Sequence, residues 1–310
     1  FEFFKFKNSE TVLKADIVHA VTIKPVLYTG LVLRSFIRPP AFVAAISGLG
    51  YVFTAETVRA KVTKKLVSIL YKFAFRTTRK VVIFQNTSDQ TTLSEIVNLA
   101  DSDRVLIKGS GADLSVYNYQ PEPLGQKQIV SMACRLLKEK GVYQFVEAAK
   151  LVKNEYSNVD FWLIGSVDPE NPNSVSQEDV DGWAEQGIIT AFGNRDDIPD
   201  LFTQSHIVTL PSFYGEGVPK VLIEAAACGR PIVTTNNPGC RDAIIDKETG
   251  LLVPIKNPGA LADSIKELLV DEKGRIEMGR RAREYAVKEF DVDNVVSKHL
   301  DIYQSLMVDK

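Results

Sequence analysis

The sequence predicts an α/β protein of parallel sheets covered by helices on both faces and divided into two domains. Three observations carry this. Ten short runs rich in β-branched residues (17–21, 42–46, 81–84, 105–107, 129–133, 161–164, 188–190, 207–210, 232–234 and 251–253) alternate with helical patterns, as in sheets whose crossovers are helices. The length of 310 residues suits two ordinary domains. The stretch 117–127, rich in Pro, Gln, Asn and Tyr, joins two such series and reads as the boundary. With 45% hydrophobic and 25% charged residues the chain is neither disordered nor fibrous.

Phe1 opens the chain in place of Met, and nothing in 1–14 resembles a signal peptide. The strand 17–21 carries His19 and leads through Lys24 into a helix over 25–36. Seventeen uncharged residues separate Arg38 from Glu56. That is short for a membrane span, and Pro39, Pro40, Gly48 and Gly50 oppose one. A buried strand followed by the glycine loop Ser47-Gly48-Leu49-Gly50 fits better. A long helix is expected over 56–80. Its apolar stripe is Val62, Leu66, Ile69, Leu70 and Phe73, and its basic stripe is Lys61, Lys65, Lys72, Arg76 and Arg79. The two stripes lie side by side, so two readings stand: a core-facing helix with a solvated basic face, or a helix lying on an anionic membrane. Charge is uneven. Residues 1–127 hold 17 Lys and Arg against 10 acids, and the remainder holds 20 against 29. A basic first half suits an anionic surface or acceptor. Cys134, Cys228 and Cys240 form no CxxC motif and read as buried thiols of a reducing compartment. A terminal helix is expected over 293–307.

Chemistry concentrates in the second half. The apolar run 207–210 leads into Pro211-Ser212, then Gly215-Glu216-Gly217-Val218-Pro219-Lys220, then a helix that stops at Gly229 before the strand 232–234. This is one strand–loop–helix–strand unit. Glycines let main-chain N–H groups approach a ligand, and a helix N-terminus favours anions, phosphate above all. Ligands of such sheets bind beyond the carboxyl ends of the strands. Glu216 falls in the loop, with Pro219 expected in the first helical turn, and Glu224 falls about one turn inside. A ligand with phosphates in its middle and hydroxyls at both ends, such as a nucleotide-sugar, suits that spacing. A capped surface helix with two solvated glutamates is the plainer alternative. Upstream, Arg135 and Lys140 flank a turn after the strand 129–133, offering a planar fork and a point charge for phosphate oxygens. Asp101-Ser102-Asp103 and Asp196-Asp197 have the spacing of carboxylate metal ligands, but capping and solvation explain both.

The run 211–254, with Arg135-Leu136-Leu137-Lys138-Glu139-Lys140-Gly141 some 80 residues upstream, resembles the donor half of retaining glycosyltransferases of family 4. The resemblance covers most of 15–310. It implies a GT-B fold, two Rossmann-like domains with parallel sheets facing a central cleft. The division would be an acceptor- and membrane-facing domain over 1–127, a nucleotide-sugar donor domain over 128–292, and a helix over 293–310 returning to the first. It also calls for a glycine-rich first turn and a helix ahead of Asp16, so the N-terminal domain is expected to lack its start.

In that family Arg135 and Lys140 would grip the donor diphosphate and Glu216 the sugar hydroxyls, aided by the N–H groups of Gly217 and Val218, with Pro219 alongside. Glu224 would hold the ribose, and Gly193 and Arg195 would lie beside the nucleobase. His19 is the candidate catalytic histidine, although the family commonly places one two positions on, at Val21. The wording Thr22-Ile23-Lys24-Pro25, with Ser47-Gly48-Leu49-Gly50-Tyr51-Val52-Phe53, is similar to bacterial enzymes that extend polyprenyl-diphosphate-linked sugars, and puts Lys24, Gly48 and Gly50 on the acceptor side. The implied partners are a UDP-sugar (UDP-GlcNAc or UDP-GalNAc), a polyprenyl-diphosphate-linked saccharide and an anionic membrane surface met by the N-terminal half, with no nucleic acid. The implied place is the cytoplasmic face of the cell membrane. No cofactor and no essential metal are expected, because Arg135, Lys140 and a helix dipole take that role. An epimerase of the same fold, and a nucleotide-sugar-binding subunit without catalysis, remain as alternatives.

Overall fold

The computed structural model describes residues 15–50, 53, 58–77, 79–123, 125 and 127–308. The opening stretch 1–14, Tyr51 and Val52 of the glycine-loop wording, Glu56 and the side chain of Lys61 lie outside what is described. The chain divides into two compact units. One comprises Phe1–Ser110, Gly215–Val218 and Asp293–Lys310, and the other Gly111–Tyr214 and Pro219–Val292.

The first unit alternates β1 (Ile17–Val21), α1 (Ile23–Leu33), β2 (Ala41–Ile46), α2 (Val58–Ala74), β3 (Lys80–Phe84), α3 (Thr87–Val97) and β4 (Arg104–Leu106). Its strands pair in parallel in the order β1-β2-β3-β4. Side chains alternate across the pleat. Phe42, Ala44, Ile46, Val82 and Phe84 pack under Val26, Leu33, Tyr71, Phe75 and Leu93 of the helical layer. Gly30 permits close packing of α1 on α2, since a β-carbon there would lie 2.7 Å from that of Ala74. Among the described side chains of α2, the flank that joins this core is Val67, Leu70, Tyr71 and Ala74. The stripe Val62, Leu66, Ile69 and Phe73 is exposed.

The second unit holds β5 (Gln128–Ala133), α4 (Val142–Glu155), β6 (Val159–Ile164), α5 (Gln177–Glu185), β7 (Thr190–Gly193), α6 (Ile198–Thr203), β8 (Ile207–Leu210), α7 (Lys220–Ala227), β9 (Ile232–Thr235), β10 (Gly250–Val253), α8 (Pro258–Val270) and α9 (Glu272–Glu289). The sheet order is β10-β9-β8-β5-β6-β7, every pair parallel. Counted from β5, this is the doubly wound order whose switch point, between β5 and β8, opens a crevice. The last helix, α10 (Val292–Val308), belongs almost wholly to the first unit. Its Val295, Ile302 and Leu306 cover the second face of the first sheet, over Ala41, Val43, Val81, Ile83 and Ile107. Each such apolar side chain contributes about 1.5–3 kcal/mol on full burial.

Three differences from the sequence reading have physical causes. The seventh strand begins at Thr190, not at Ile188. The Ile188 N–H closes the end of α5 on the Trp183 carbonyl, and Ile189 is buried behind it, so this apolar signal belongs to a helix stop. Pro219 is the N-cap of α7, with extended backbone, and not a residue of its first turn. Finally, the division falls at Ser110/Gly111 instead of near 127. Arg283 donates to the Tyr117 carbonyl at 2.8 Å and Arg230 to that of Gln120 at 2.6 Å, while Glu122 takes the buried Arg275 fork at 2.6 and 2.7 Å. Those arginines fasten the linker-like stretch to the second unit.

Candidate functional site

At the switch point, β5 ends at Ala133 and the chain runs through Arg135 to a short 3-10 turn, Lys138–Lys140. Gly141 then starts α4 with φ +86°. A β-carbon there would lie 2.2 Å from the Pro211 carbonyl oxygen. Only glycine satisfies both conditions, and it seats the turn against the loop after β8. The Phe213 N–H and the Ser212 hydroxyl both donate to the Glu139 carbonyl, at 3.0 and 3.2 Å. Neither α4 nor α7 has a side-chain cap at its N-terminus, whereas Ser176, Asn257 and Asp271 cap α5, α8 and α9. The N–H groups opening α4 and α7 therefore keep their preference for an anion.

Beside this turn a cleft of about 250 Å³ is lined by Arg135, Gly165, Ser166, Asn194, Arg195 and Glu224, among others. Arg135 is exposed. Arg195 is held by Asp197, Nε to Oδ1 at 2.7 Å. Glu224 is 7% exposed. Burial raises its carboxyl above the ordinary range, against hydrogen bonding by Tyr117 and the charge of Lys220. The Lys220 ammonium stands 3.4 Å away. The Tyr117 phenol, which donates to Glu224, is itself pushed up, first by burial. A largely buried carboxylate that lines the same small cleft as an exposed arginine can accept hydroxyl protons at one end of a ligand whose anionic part meets the arginine.

The structure thus brings Arg135, Arg195 and Glu224 together, with Gly193 at the end of β7 one residue before the lining. Lys140 closes the turn beside them and is half-buried. Pro219 belongs to the second unit, but Gly215–Val218 cluster with the first. There the Gly217 N–H donates to the Ser47 carbonyl at 3.1 Å and Asn86 Nδ2 to that of Glu216 at 3.3 Å. Gly48, at φ +116°, leaves room for this, since its β-carbon would meet the Gly217 nitrogen at 2.8 Å. Gly50 is left-handed at φ +67°, and the Leu49 N–H between the two is fixed by Asp89 at 3.2 Å. Glu216, Gly217, Val218 and Gly48 therefore form one group in the first unit.

Lys24 is exposed, one residue into α1. Thr22 before it has φ +72°, a strained value for a β-branched residue. His19 sits mid-strand, opposite Val43, on the face that α10 covers. Its Nδ1 meets the Tyr303 hydroxyl at 2.7 Å and its ring stacks 5.9 Å from that of His299. Its pKa is lowered by burial, then by His299. It is not gathered into the glycine-loop group.

Sequence reasoning missed Tyr117 and the pair Gly165-Ser166. A glycine directly after an apolar strand was the available signal for the latter; Tyr117 offered none. Of the aspartates weighed for metal, Asp101 pairs with Arg104 and Asp103 with Lys80 at 2.8 Å, while Asp197 pairs with Arg195.

A doubly wound second unit, with an arginine and a buried carboxylate at its switch point, defines an α/β protein of the kind that takes ligands in the crevice beyond its strand ends. Residues 118–285 match the model of the family described as glycosyl transferases group 1. The chain belongs to that family. Among solved structures it is similar to sucrose-phosphate synthase from Thermosynechococcus elongatus (TM-score 0.81, 20% identity, 100% of this chain and 78% of that one). It is also similar to Anabaena Alr3699/HepE in complex with UDP (TM-score 0.80, 18% identity, 98% and 82%). At these identities the likeness shows the fold, which is GT-B.

Among curated proteins the chain is 29% identical to the N,N'-diacetylbacillosaminyl-diphospho-undecaprenol alpha-1,3-N-acetylgalactosaminyltransferase of Campylobacter jejuni, over 90% of this chain and 74% of that protein. It is 25% identical to the UDP-Gal:alpha-D-GlcNAc-diphosphoundecaprenol alpha-1,3-galactosyltransferase of Escherichia coli, over 96% and 77%. Among the described residues no helix is long and apolar enough to cross a membrane.

Proposed function

We propose that this chain transfers a hexose or N-acetylhexosamine from a UDP-sugar to a polyprenyl-diphosphate-linked saccharide, with retention at the anomeric carbon. The observation that carries the reading is the switch-point cleft, lined by both exposed Arg135 and buried Glu224. Relatives named for undecaprenyl-diphosphate-linked acceptors, one of them for a UDP-sugar donor, support the substrate classes. So does a neighbour of the same fold solved with UDP.

In this reading Glu224 accepts the two ribose hydroxyls, and Gly193 and Arg195 border the base. Arg135 and Lys140, with the uncapped starts of α4 and α7, take the diphosphate charge; no metal is required. The bond from the anomeric carbon to the β-phosphate oxygen breaks while the acceptor hydroxyl oxygen attacks on the same face. The acceptor proton passes to the departing diphosphate, leaving UDP and the extended saccharide. Charge grows on the diphosphate as the bond breaks, and a preorganised donor at such charge supplies about 2.7–4 kcal/mol. The enzyme would work at the cytoplasmic face of the membrane that holds its acceptor.

A thermal-shift panel of UDP, GDP, ADP and their sugars tests the donor, since a ligand at 100 times its Kd adds about 2.7 kcal/mol of stability. Product from a detergent-solubilised lipid-linked acceptor tests transfer, and its anomeric configuration tests retention. UDP-sugar turnover without acceptor would instead favour an epimerase, and UDP binding without transfer a binding subunit.

A further inference from the structure

The exposed side of α2 has no role in the cleft, and its composition is unusual for a solvated surface. Val62, Leu66, Ile69 and Phe73 are 65%, 58%, 43% and 39% exposed. At about 100° per residue these four fall within about 60° of one another. They form a continuous apolar seam along the helix. On one side of the seam, Val67, Leu70, Tyr71 and Ala74 turn into the core. On the other, Lys65 and Lys72 are exposed, with Arg76 just past the helix end. The guanidinium groups of Arg34 and Arg76 stand 5.3 and 5.1 Å from the Phe73 ring centre, so cations rim the end of the seam. Between Glu56 and Asp89 the chain has no acidic residue. Ile37, three residues beyond Arg34, is fully exposed.

A folded surface spends apolar side chains on water only singly; four in a row usually mark a partner. Here the seam lies between the packed flank and a cationic flank. A helix that lies flat in a lipid interface has this arrangement, with apolar side chains among the acyl chains and Lys and Arg level with the head groups. A protein partner would have to match an all-cationic rim with its own carboxylates, whereas an anionic bilayer supplies that charge everywhere. We propose that the Val62–Leu66–Ile69–Phe73 seam of α2, with Lys65, Lys72, Arg34 and Arg76, is the surface by which this chain lies on anionic phospholipid. The proposal deepens the reading of a lipid-linked acceptor and rests on it for its purpose, but binding to lipid can be measured without transfer.

Co-sedimentation of the full chain with phosphatidylcholine vesicles, with and without phosphatidylglycerol, tests it. Wild type is expected on the anionic vesicles and to leave them as salt rises. The triple variant Lys65→Gln, Lys72→Gln, Arg76→Gln is expected to bind about 100-fold more weakly, at about fivefold per cation. Leu66→Gln with Ile69→Gln should weaken binding at least about tenfold. Both variants should keep wild-type melting temperature, UDP affinity and transfer to a short-chain, water-soluble acceptor. They should lose transfer to an acceptor embedded in vesicles.

Wild type that ignores anionic vesicles, or variants that bind as wild type does, would overturn the proposal. A lipid-independent dimer abolished by Leu66→Gln and Ile69→Gln would assign the seam to a second copy and overturn it too. A lowered melting temperature in that variant would assign the seam to another segment of this chain, with the same consequence. Wild type that binds vesicles but transfers to no lipid-linked acceptor would leave the surface standing and remove the proposed reaction instead.

Discussion

Replacing Glu224 by Ala would separate the proposed ribose contact from every other contribution to donor binding. The carboxylate is 7% exposed, so its bonds to two ribose hydroxyls would be largely shielded from water. Charge-assisted bonds contribute about 1.5–3 kcal/mol each. Part of this is offset in the free protein, where Lys220 and Tyr117 already hold the carboxylate, so a net loss of about 2.7 kcal/mol, about 100-fold in UDP Kd, is expected. Stability should change little. The substitution strips the Tyr117 hydroxyl of its acceptor, which costs about 1–3 kcal/mol. It also removes a carboxylate whose raised pKa reports the burden of desolvation.

Calorimetric titration with UDP and with 2′,3′-dideoxy-UDP reads the coupling directly. Wild type should bind the dideoxy compound about as weakly as the variant binds UDP, and the variant should not distinguish the two. A wild type indifferent to the missing hydroxyls would refute the assignment, as would a variant that loses affinity equally for both ligands. The pH dependence has a definite sign. Because the native carboxyl titrates above its ordinary 4.5, UDP affinity should fall as pH drops through that higher range, and Glu224→Gln should flatten the slope. The same shift means that native Glu224 costs stability progressively as pH rises past its unfolded value. The stability of Glu224→Gln relative to wild type should therefore improve towards neutral pH.

Arg135→Ala should lower kcat by about 10²–10³-fold while changing UDP affinity far less; steady-state kinetics beside calorimetry would show an equal loss in both if the guanidinium acts only in binding. Gly141→Ala combines φ +86° with a 2.2 Å approach to the Pro211 oxygen. Urea unfolding should show at least about 1–3 kcal/mol of destabilisation, and an unchanged midpoint would refute the close packing of the turn. His19, whose native pKa lies below the ordinary 6.5, favours the neutral form. Its contribution is therefore held above that value and lost as pH falls below it. Unfolding between about pH 5 and pH 8 should show that slope in wild type and not in His19→Asn.

The strands were readable because each is a short β-branched run between turn signals. Nine of the ten predicted runs coincide with strands to within about two residues. The tenth, around Ile188 and Ile189, failed because an apolar pair after a helix packs back on that helix and gives the same signal as a strand edge. That Arg135, Arg195 and Glu224 share one cleft was readable because the segments after parallel strands converge at a switch point whatever the rest of the chain does.

The stripe of α2 was legible, but whether it turns inward or outward was not. Val62 and Val67 look alike in a sequence, and only the close seating of Gly30 against Ala74 decides which flank is covered. The partner of Glu224 was equally hidden, because Tyr117 lies 107 residues upstream in a stretch whose composition signals a linker. What fastens that stretch is three arginines, two of them buried, and buried arginine has no pattern of its own.

Gly165 sits at the mouth of β6 with φ +137°, and a β-carbon on it would fall 1.9 Å from the Cys134 carbonyl oxygen. Two strand ends therefore meet there peptide to peptide, with no gap into which any substituent could grow. Whatever settles over that spot is met by amide and carbonyl groups that every sequence supplies alike. Discrimination between one guest and another has to come from the rim, from side chains such as Ser166, Asn194 and Arg195 that can be exchanged without disturbing the floor.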